Sequence, residues 1–283
     1  MSDRYLRAAA IQLQAGPHIT ENLQDAAEHI RAAAASGAKL VVTPENTCHI
    51  LASPALKLET ACCETTHLGL PFFSNLAHEL GIWLVIGSLA IKRDNGKLAN
   101  RQCVFAPDGK LVATYDKIHL FDADLANGES YRESAVTEYG DRAVMVDMGP
   151  TKIGLSICYD VRFAKLYRTM AQAGAEIMLI PAAFAIPTGR AHWHVLVRAR
   201  AIETGSYVLA PAQCGTHDGG RGTYGHSLII SPWGDCVAEQ VQDIPGFIIA
   251  DLDLEAVRAA RSTLPTLTHD REFVLYQPEL AAR

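Results

Sequence analysis

The sequence predicts a layered α/β fold, and two observations carry that prediction. Short, strongly apolar segments typical of buried strands alternate with longer amphipathic segments typical of helices. The same strand-helix rhythm occurs in both halves of the chain. Because strands buried on both faces need cover on both sides, we expect helical layers over the sheets.

The first half contains two strand-helix units. The first unit comprises a strand from Arg7 to Gln14, a helix from about Glu21 to Ala35 and a strand from Lys39 to Thr43. Thr20 is expected to cap the helix, and Gly37 to end it.

In the second unit, Pro71 begins a helix that Gly81 ends, and IWLVIGS supplies the buried strand that follows. The PDG sequence at 107–109 then predicts a hairpin turn, so the next strands should pair with their neighbours along the chain.

Beyond Asp147 the alternation returns. The predicted elements are, in order, the strand KIGLSIC, the helix RFAKLYRTMAQAG, the strand EIMLI, the helix HWHVLVRARAIETG, the strand SYVLAPA and a hairpin that turns at SPWGD. No linker divides the chain, so we expect one domain over residues 1–283. From about Thr263 a tail without periodicity follows, and its apolar residues 273–276 suggest docking on a neighbouring subunit.

Composition excludes several classes of function. The formal net charge is -6 without a concentrated basic stretch, so nucleic-acid binding is not expected and small molecules are the expected partners. No segment is apolar for long enough to be a signal peptide or to span a membrane, which favours a cytoplasmic protein. Seven cysteines without a CxxC pair fit reduced thiols.

In LSICYDVRF, Cys158 lies where a buried strand ends and a helix begins within a few residues. A helix N-terminus favours thiolate, so we expect the thiol pKa to fall from about 8.5 toward neutrality. The backbone amide of Tyr159 is placed to receive an oxyanion. An ordinary buried cysteine is the alternative that position alone leaves open.

Two further polar residues follow apolar strands. Glu45 in LVVTPEN sits at the strand edge where α/β active sites collect, and a carboxylate there can act as a general base. Lys117 in YDKIHLFD can stabilise an oxyanion and hold Glu45 ionised. Taken singly, a capping or surface carboxylate and a solvated lysine are the alternatives. Together with Cys158, these residues favour acyl-transfer chemistry.

In this order, PEN, YDKIHLFD and SICYDVRF resemble the signature segments of the nitrilase superfamily of carbon-nitrogen hydrolases. The resemblance runs from the first strand to about Asp253. It implies a four-layer α-β-β-α sandwich with internal pseudo-symmetry and a triad of Glu45, Lys117 and Cys158. In the implied reaction, the cysteine attacks an amide, ammonia leaves, and water hydrolyses the thioester without any cofactor.

Members of the superfamily also carry a second glutamate after the lysine segment. The sequence GESYRESAVTEYGD offers Glu129, Glu133 and Glu138. The Glu-Ser pair and the Gly-Asp that follows it favour Glu133, whose carboxylate would orient the lysine and the substrate amide. Glu129 also precedes a serine and stays open as an alternative.

Histidines suggest two other kinds of site. His192 and His194 in HWH resemble zinc ligands, but residues two apart on a helix point about 200° from each other, so we expect no metal site. His194 also stands where the superfamily resemblance leads us to expect glutamate. A Cys-His dyad using His119 or His226 is the other alternative, with hydrogen-bonded structural roles favoured for both.

The late segments most resemble the branch of Nit-like amidases, which contains deaminated glutathione amidase and ω-amidase. This resemblance implies a small acid substrate with a terminal amide beside a carboxylate or 2-oxo acid, with deaminated glutathione preferred. The Arg221 that precedes YGHS also favours that substrate. ω-Amidase or N-carbamoyl amidohydrolase activity, and a non-catalytic binding module, are the alternatives.

Four residues are predicted to contact the substrate. Arg162 offers a bidentate grip on a carboxylate, unless it pairs with Asp160 to brace the nucleophile turn. Tyr159 adjoins the nucleophile, and Phe184 and Thr188 lie on a loop that would close over the pocket.

Assembly is also predicted by resemblance, because members commonly dimerise through the helix layer. We therefore expect at least a homodimer. The helix AHWHVLVRARAIE is the candidate interface, and intrachain ion pairs are the alternative role for its arginines.

Overall fold

Two six-stranded sheets form the centre of the computed structural model, which describes residues 4–125 and 128–277. The α-helices are α1 (Ile19–Ala35), α2 (Pro54–Thr60), α3 (Gly69–Leu80), α4 (Ala164–Gln172), α5 (Ile186–Thr204) and α6 (Leu254–Thr263). The strands are β1 (Tyr5–Gln12), β2 (Leu40–Val42), β3 (Trp83–Lys92), β4 (Leu98–Phe105), β5 (Leu111–Asp116), β6 (Asp122–Asp124), β7 (Ser130–Arg132), β8 (Met145–Asp147), β9 (Lys152–Leu155), β10 (Ile177–Leu179), β11 (Tyr207–Ala210), β12 (Cys214–Thr216), β13 (Gly222–Tyr224), β14 (Leu228–Ile230), β15 (Cys236–Glu239) and β16 (Gly246–Asp253).

The two sheets repeat one arrangement. The first has the order β16-β1-β2-β3-β4-β5, and the second, counted from its other edge, has the order β8-β9-β10-β11-β14-β15. In each sheet the three strands after the first are parallel, with helical crossovers between them, and antiparallel strands flank them on both sides. The strand-helix rhythm seen in both halves of the sequence is therefore a structural repeat.

The apolar residues divide into two main cores because strand side chains alternate between faces. On β1, Ala9 and Ile11 face α1 and α3, whereas Ala8 and Ala10 belong to the core between the sheets. That second core continues through the other sheet to Trp193 on α5 and to residues of α4. The layers are thus helix, sheet, sheet and helix, which confirms the predicted four-layer α-β-β-α sandwich.

Several elements differ in detail from the sequence prediction. Helix α1 begins at Ile19, so Thr20 lies inside its first turn and does not cap it. Helix α5 begins at Ile186 rather than at the predicted His192. Helix α2 is not predicted from the sequence, because its segment is too short for a clear helical period. None of the described helices is long and apolar enough to cross a membrane.

Candidate active site

Cys158 lies at the carboxyl end of β9, in a strained turn. Its φ is 50°, a left-handed conformation that non-glycine residues rarely adopt, and a single turn of 3-10 helix covers Cys158–Arg162. The cysteine amide donates a 2.9 Å hydrogen bond to the carbonyl oxygen of Pro181, which follows β10. The surrounding structure thus holds the thiol in a buried position, 7% exposed.

A buried carboxylate braces this turn. Asp160 Oδ2 accepts hydrogen bonds from the Ile157 amide, 2.9 Å away, and from the Tyr115 hydroxyl, 2.7 Å away. Its Oδ1 accepts a 3.0 Å bond from the amide of His119. Because Tyr115 and His119 flank Lys117 in the chain, Asp160 ties the cysteine turn to the segment that carries the lysine.

Glu45 follows β2 and is also buried, only 3% exposed. Its Oε1 accepts a 2.9 Å hydrogen bond from Lys117 Nζ. Its Oε2 accepts a 2.9 Å hydrogen bond from the amide of Ala183, which lies beyond β10. The Cys158 thiol lies close enough to the same carboxylate for the charge of Glu45 to act on it. The structure therefore brings the predicted base, lysine and thiol together.

Lys117 lies between two carboxylates. Its ammonium donates one hydrogen bond to Glu45 and another, of 2.9 Å, to Glu133 Oε2. The same Glu133 oxygen also accepts a 2.7 Å hydrogen bond from the amide of Phe121. Of the other two candidates for the second glutamate, Glu129 accepts from the Tyr131 hydroxyl and Glu138 pairs with Arg93. Glu133 is thus the candidate whose carboxylate bonds to the lysine.

Asn100 on β4 is a member of this network that the sequence analysis missed. Its Nδ2 donates a 2.8 Å hydrogen bond to Glu45 Oε1 and a 2.9 Å hydrogen bond to Glu133 Oε1. One amide group therefore bridges the two carboxylates. Its backbone carbonyl accepts from the amide of Lys117. The sequence signal for this role is weak, because Asn100 is followed by two further polar residues, Arg101 and Gln102, in the strand LANRQCVF.

The charges of the network stabilise one another. Burial alone would raise the pKa of Glu45, but the Lys117 ammonium outweighs it and lowers that pKa to about 2. Burial would likewise lower the pKa of Lys117, and Glu133 and Glu45 instead hold it well above its usual value. The base and the ammonium are therefore both ionised at neutral pH.

The thiol pKa moves opposite to the sequence prediction. Burial and the negative charge of Glu45 raise the pKa of Cys158 well above its ordinary value, and Lys117 only partly offsets them. The α-helix expected just after Cys158 begins only at Ala164, and a single 3-10 turn lies between the cysteine and α4, so the helix dipole is farther from the sulfur than predicted. The resting cysteine is a neutral thiol whose proton faces a carboxylate.

The thiol, both carboxylates and the lysine open into one cavity of about 420 Å³. Its other lining residues include Asn46, His49, Lys57, Phe121, Tyr131, Arg132 and Arg221. Lys57 on α2 donates 2.8 Å to Asn46 Oδ1. His49 Nε2 and Arg221 Nε are buried without a hydrogen-bond partner among the described residues, so polar groups remain available in this wall.

None of the four predicted substrate contacts is among the described residues that line this cavity, and their contact with substrate stays a prediction. Arg162 contacts His192 and lies over the rings of Tyr159 and Phe184, so it neither faces the cavity nor pairs with Asp160. The Phe184 ring packs on Trp193. The Thr188 hydroxyl donates a hydrogen bond to the carbonyl oxygen of Ala185, the residue that precedes α5. The Tyr159 ring packs on Phe121, although its amide still follows the nucleophile.

Three of the four histidines considered from the sequence, His119, His194 and His226, bond to carboxylates. His119 contacts Asp160 at 2.7 Å and stacks on Phe163, and His226 contacts Glu239 at 2.7 Å. His192 and His194 diverge, as the helical geometry predicts, because His192 bonds to Arg162 while His194 lies 2.9 Å from Glu239.

A neutral thiol, an ionised carboxylate and an ammonium in one buried, hydrogen-bonded set define the class of a thiol-dependent acyl-transfer enzyme. A carbon-nitrogen hydrolase family model matches residues 7–262. The deaminated glutathione amidase of Synechocystis sp. is 40% identical over 271 residues, covering 94% of this chain and 98% of that protein.

Solved structures agree with this match. The Caenorhabditis elegans NitFhit protein has a TM-score of 0.89 at 33% identity, over 96% of this chain and 66% of that one. Saccharomyces cerevisiae Nit3, a nitrilase superfamily member, has a TM-score of 0.84 at 32% identity, over 95% and 97% of the two chains. The chain belongs to the carbon-nitrogen hydrolase family of the nitrilase superfamily, which confirms the predicted class of enzyme.

Replacing Asn100 with Leu removes the donor shared by Glu45 and Glu133 at nearly constant volume. Hydrogen bonds to charged groups contribute about 1.5–3 kcal/mol, so we expect kcat for amide hydrolysis to fall roughly 10- to 100-fold. Gln102→Leu is the matched control, since Gln102 is buried on the same strand and its side-chain amide has no partner among the described residues. Equal losses in both variants, or none in Asn100→Leu, would contradict this role.

The pKa shifts also predict a pH profile. Glu45, with its pKa near 2, stays ionised above about pH 4, and Cys158, with its raised pKa, stays protonated through the neutral range. For a neutral amide we therefore expect kcat/KM to be level from about pH 5 to about pH 8. A rise that follows thiolate formation near pH 8.5 would show that the thiol must ionise before substrate binds.

Proposed function

We propose that this protein is an amidase that hydrolyses a small anionic amide, with deaminated glutathione as the preferred substrate, through a thioester on Cys158. The single observation that supports this function most strongly is that Cys158 and the Glu45–Lys117 ion pair, all three buried, line the same cavity. A binding module would not need a buried ion pair beside a thiol, which is costly to maintain.

In the proposed reaction, Glu45 takes the thiol proton as the Cys158 sulfur attacks the amide carbon. The carbonyl oxygen becomes an oxyanion that Lys117 Nζ and the Tyr159 amide stabilise. The carbon-nitrogen bond then breaks while Glu45 returns the proton to the leaving nitrogen. Glu45 next deprotonates a water molecule that attacks the thioester, and the thiol leaves with that proton as the acid product forms.

Glu133 acts through Lys117 in this proposal. Its carboxylate shares the lysine with Glu45 and also accepts from Asn100 and from the Phe121 amide, so three groups fix its position. A fixed carboxylate keeps the ammonium charged and directed at the reacting carbonyl. Glu133 Oε2 is thus a positioning group for the oxyanion site.

Charge in the cavity wall supports an anionic substrate. Four basic residues line it, Lys57, Lys117, Arg132 and Arg221, and of these Lys117 and Arg132 already pair with carboxylates. Lys57 and Arg221 lie outside the triad, and substrate carboxylates are natural partners for both. Burial lowers the pKa of His49 to about 4, so its ring is neutral and can exchange a hydrogen bond with a polar substrate group.

The leaving group depends on which amide is bound. Ammonia leaves only from a primary amide, whereas deaminated glutathione carries secondary amides and would release an amine. The predicted release of ammonia therefore holds only for primary terminal amides. The assay must detect ammonia as well as an amine product. The bacterial relative named for deaminated glutathione covers almost all of this chain, which supports the secondary amide as the first substrate to test.

The proposed function is tested by mass-spectrometric detection of products from purified protein. Deaminated glutathione, 2-oxoglutaramate, succinamate and N-carbamoyl amino acids form the panel, each with the wild type and with Cys158→Ala. We expect the highest kcat/KM for deaminated glutathione and loss of all turnover in the variant. A preference for 2-oxoglutaramate or carbamoyl compounds would instead identify one of the two alternative activities.

A second set of outcomes tests the mechanism itself. In wild-type protein, an acyl adduct of the substrate on the Cys158 peptide is expected after acid quenching. Turnover that survives in Cys158→Ala would overturn the thiol mechanism. Tight substrate binding without any turnover by the wild type would favour the binding module.

Lys57 provides a test of charge recognition. We expect Lys57→Met to lower kcat/KM roughly 10-fold or more for anionic amides but to change it little for a neutral amide, because only the former offers a carboxylate. Lys110→Met is the matched control, since Lys110 is an exposed lysine that pairs with Asp108. Equal losses on both kinds of amide would mean that Lys57 supports Asn46 rather than the substrate.

Assembly stays a prediction. On α5, Val195 and Ile202 are more than half exposed, as a subunit contact would require, while Arg198 and Arg200 make bonds within the chain. The apolar tail residues 273–276 are 81–92% exposed. These surfaces support the homodimer inferred from resemblance.

A further inference from the structure

A second group of chemically competent side chains lies outside the catalytic cavity. His194 on α5, His226 in the turn between β13 and β14, and Glu239 at the end of β15 each present one potential metal-binding atom. These three atoms lie within 4.8 Å of one another. It is the one such group found among residues 4–125 and 128–277.

One carboxylate oxygen is the centre of this group. Glu239 Oε1 lies 2.9 Å from His194 Nε2 and 2.7 Å from His226 Nδ1. Burial would raise the pKa of Glu239, but the hydrogen bonds from the two rings lower it, so the carboxylate is an anion. Two nitrogen atoms and one oxygen anion are a common ligand set for zinc.

The rings are held in place before any ion arrives. The Tyr224 ring stacks on His226 at a centroid distance of 4.4 Å and meets His194 edge-on at 5.9 Å. His226 has a φ of 54°, and its carbonyl accepts a hydrogen bond from the Trp193 indole. Backbone strain and aromatic packing thus direct both ring nitrogens toward Glu239.

We propose that His194, His226 and Glu239 bind a divalent transition-metal ion, with Zn²⁺ as the best match, and water as the fourth ligand. Bond lengths of about 2.0–2.2 Å place the ligand atoms of a tetrahedral site about 3.4 Å apart, so small side-chain movements convert the present hydrogen bonds into metal bonds. A ring nitrogen that binds the ion carries no proton, so each ring holds its N–H on the nitrogen that faces away from the ion.

The position of the site defines its role. Glu239 lies on β15, the edge strand of the second sheet, and His194 lies on the helix that covers that sheet. A bound ion joins helix, turn and edge strand and stabilises the folded protein without contacting the catalytic cavity. The proposal is therefore independent of the amidase function.

Zn²⁺ titration calorimetry on EDTA-treated protein tests this site. The titrations use Cys158→Ala as the parent protein, so the catalytic thiol cannot bind the ion. Two control variants are made in this parent: Cys236→Ser removes a nearby exposed thiol, and His78→Ala removes an exposed histidine. We expect one ion per chain in the parent and both controls. His194→Ala, His226→Asn and Glu239→Gln should each weaken binding roughly 10-fold or more.

Two further measurements separate this site from non-specific binding. Co²⁺ should give a visible spectrum of nitrogen and oxygen ligation without a thiolate charge-transfer band, and Zn²⁺ should raise the Tm of the parent but not of Glu239→Gln. Thermal unfolding in EDTA shows whether each variant is folded. Absence of saturable binding, a thiolate spectrum, or equal affinity in folded ligand variants would overturn the proposal.

Discussion

The shared ammonium of Lys117, held between Glu45 and Glu133, is the interaction on which the site depends. Burying three charges is costly, and they are tolerated because Asn100 and the backbone amides of Ala183 and Phe121 satisfy the carboxylates. Removing Lys117 would leave both carboxylates desolvated without a cation, whereas removing either carboxylate would leave a single ion pair. The network therefore constrains its neighbours: the strand carrying Asn100, the loop carrying Glu133 and the end of β10 must all keep their positions.

This network also explains how a base with a low pKa can accept a thiol proton. At rest, Lys117 holds the pKa of Glu45 near 2, and the thiol stays neutral. In the proposed reaction, negative charge grows on the substrate oxygen, and the ammonium turns part of its interaction toward that charge. The pKa of Glu45 then rises as the proton arrives, because its cation is partly withdrawn. Proton transfer is thus coupled to attack on the amide, and a free thiolate is unnecessary.

Local sequence predicted the layers and the residues at the strand ends. Buried strands are recognisable as short apolar segments, and the carboxyl ends of parallel strands lie at the same edge of a sheet. It did not predict contacts that depend on orientation. Asn100 and Lys57 lie on elements whose facing surfaces only the packed sheets define. Arg162 follows the nucleophile closely, yet the turn directs it toward α5. The predicted fall in the thiol pKa was also wrong. The direction of that shift depends on burial and on the charge of Glu45, which is distant in sequence.

The structural repeat explains why the site depends on contacts between residues that are distant in sequence. The first half supplies Glu45, Lys117 and Glu133, and the second supplies Cys158 and the Ala183 amide, so chemistry requires both sheets in register. Neither half holds a complete site, although each contributes the carboxyl ends of parallel strands. The core between the sheets fixes that register, and Asp160 refines it by bonding across to the lysine segment. Loss of packing in this core should therefore impair catalysis as well as stability, since the reacting groups belong to different layers.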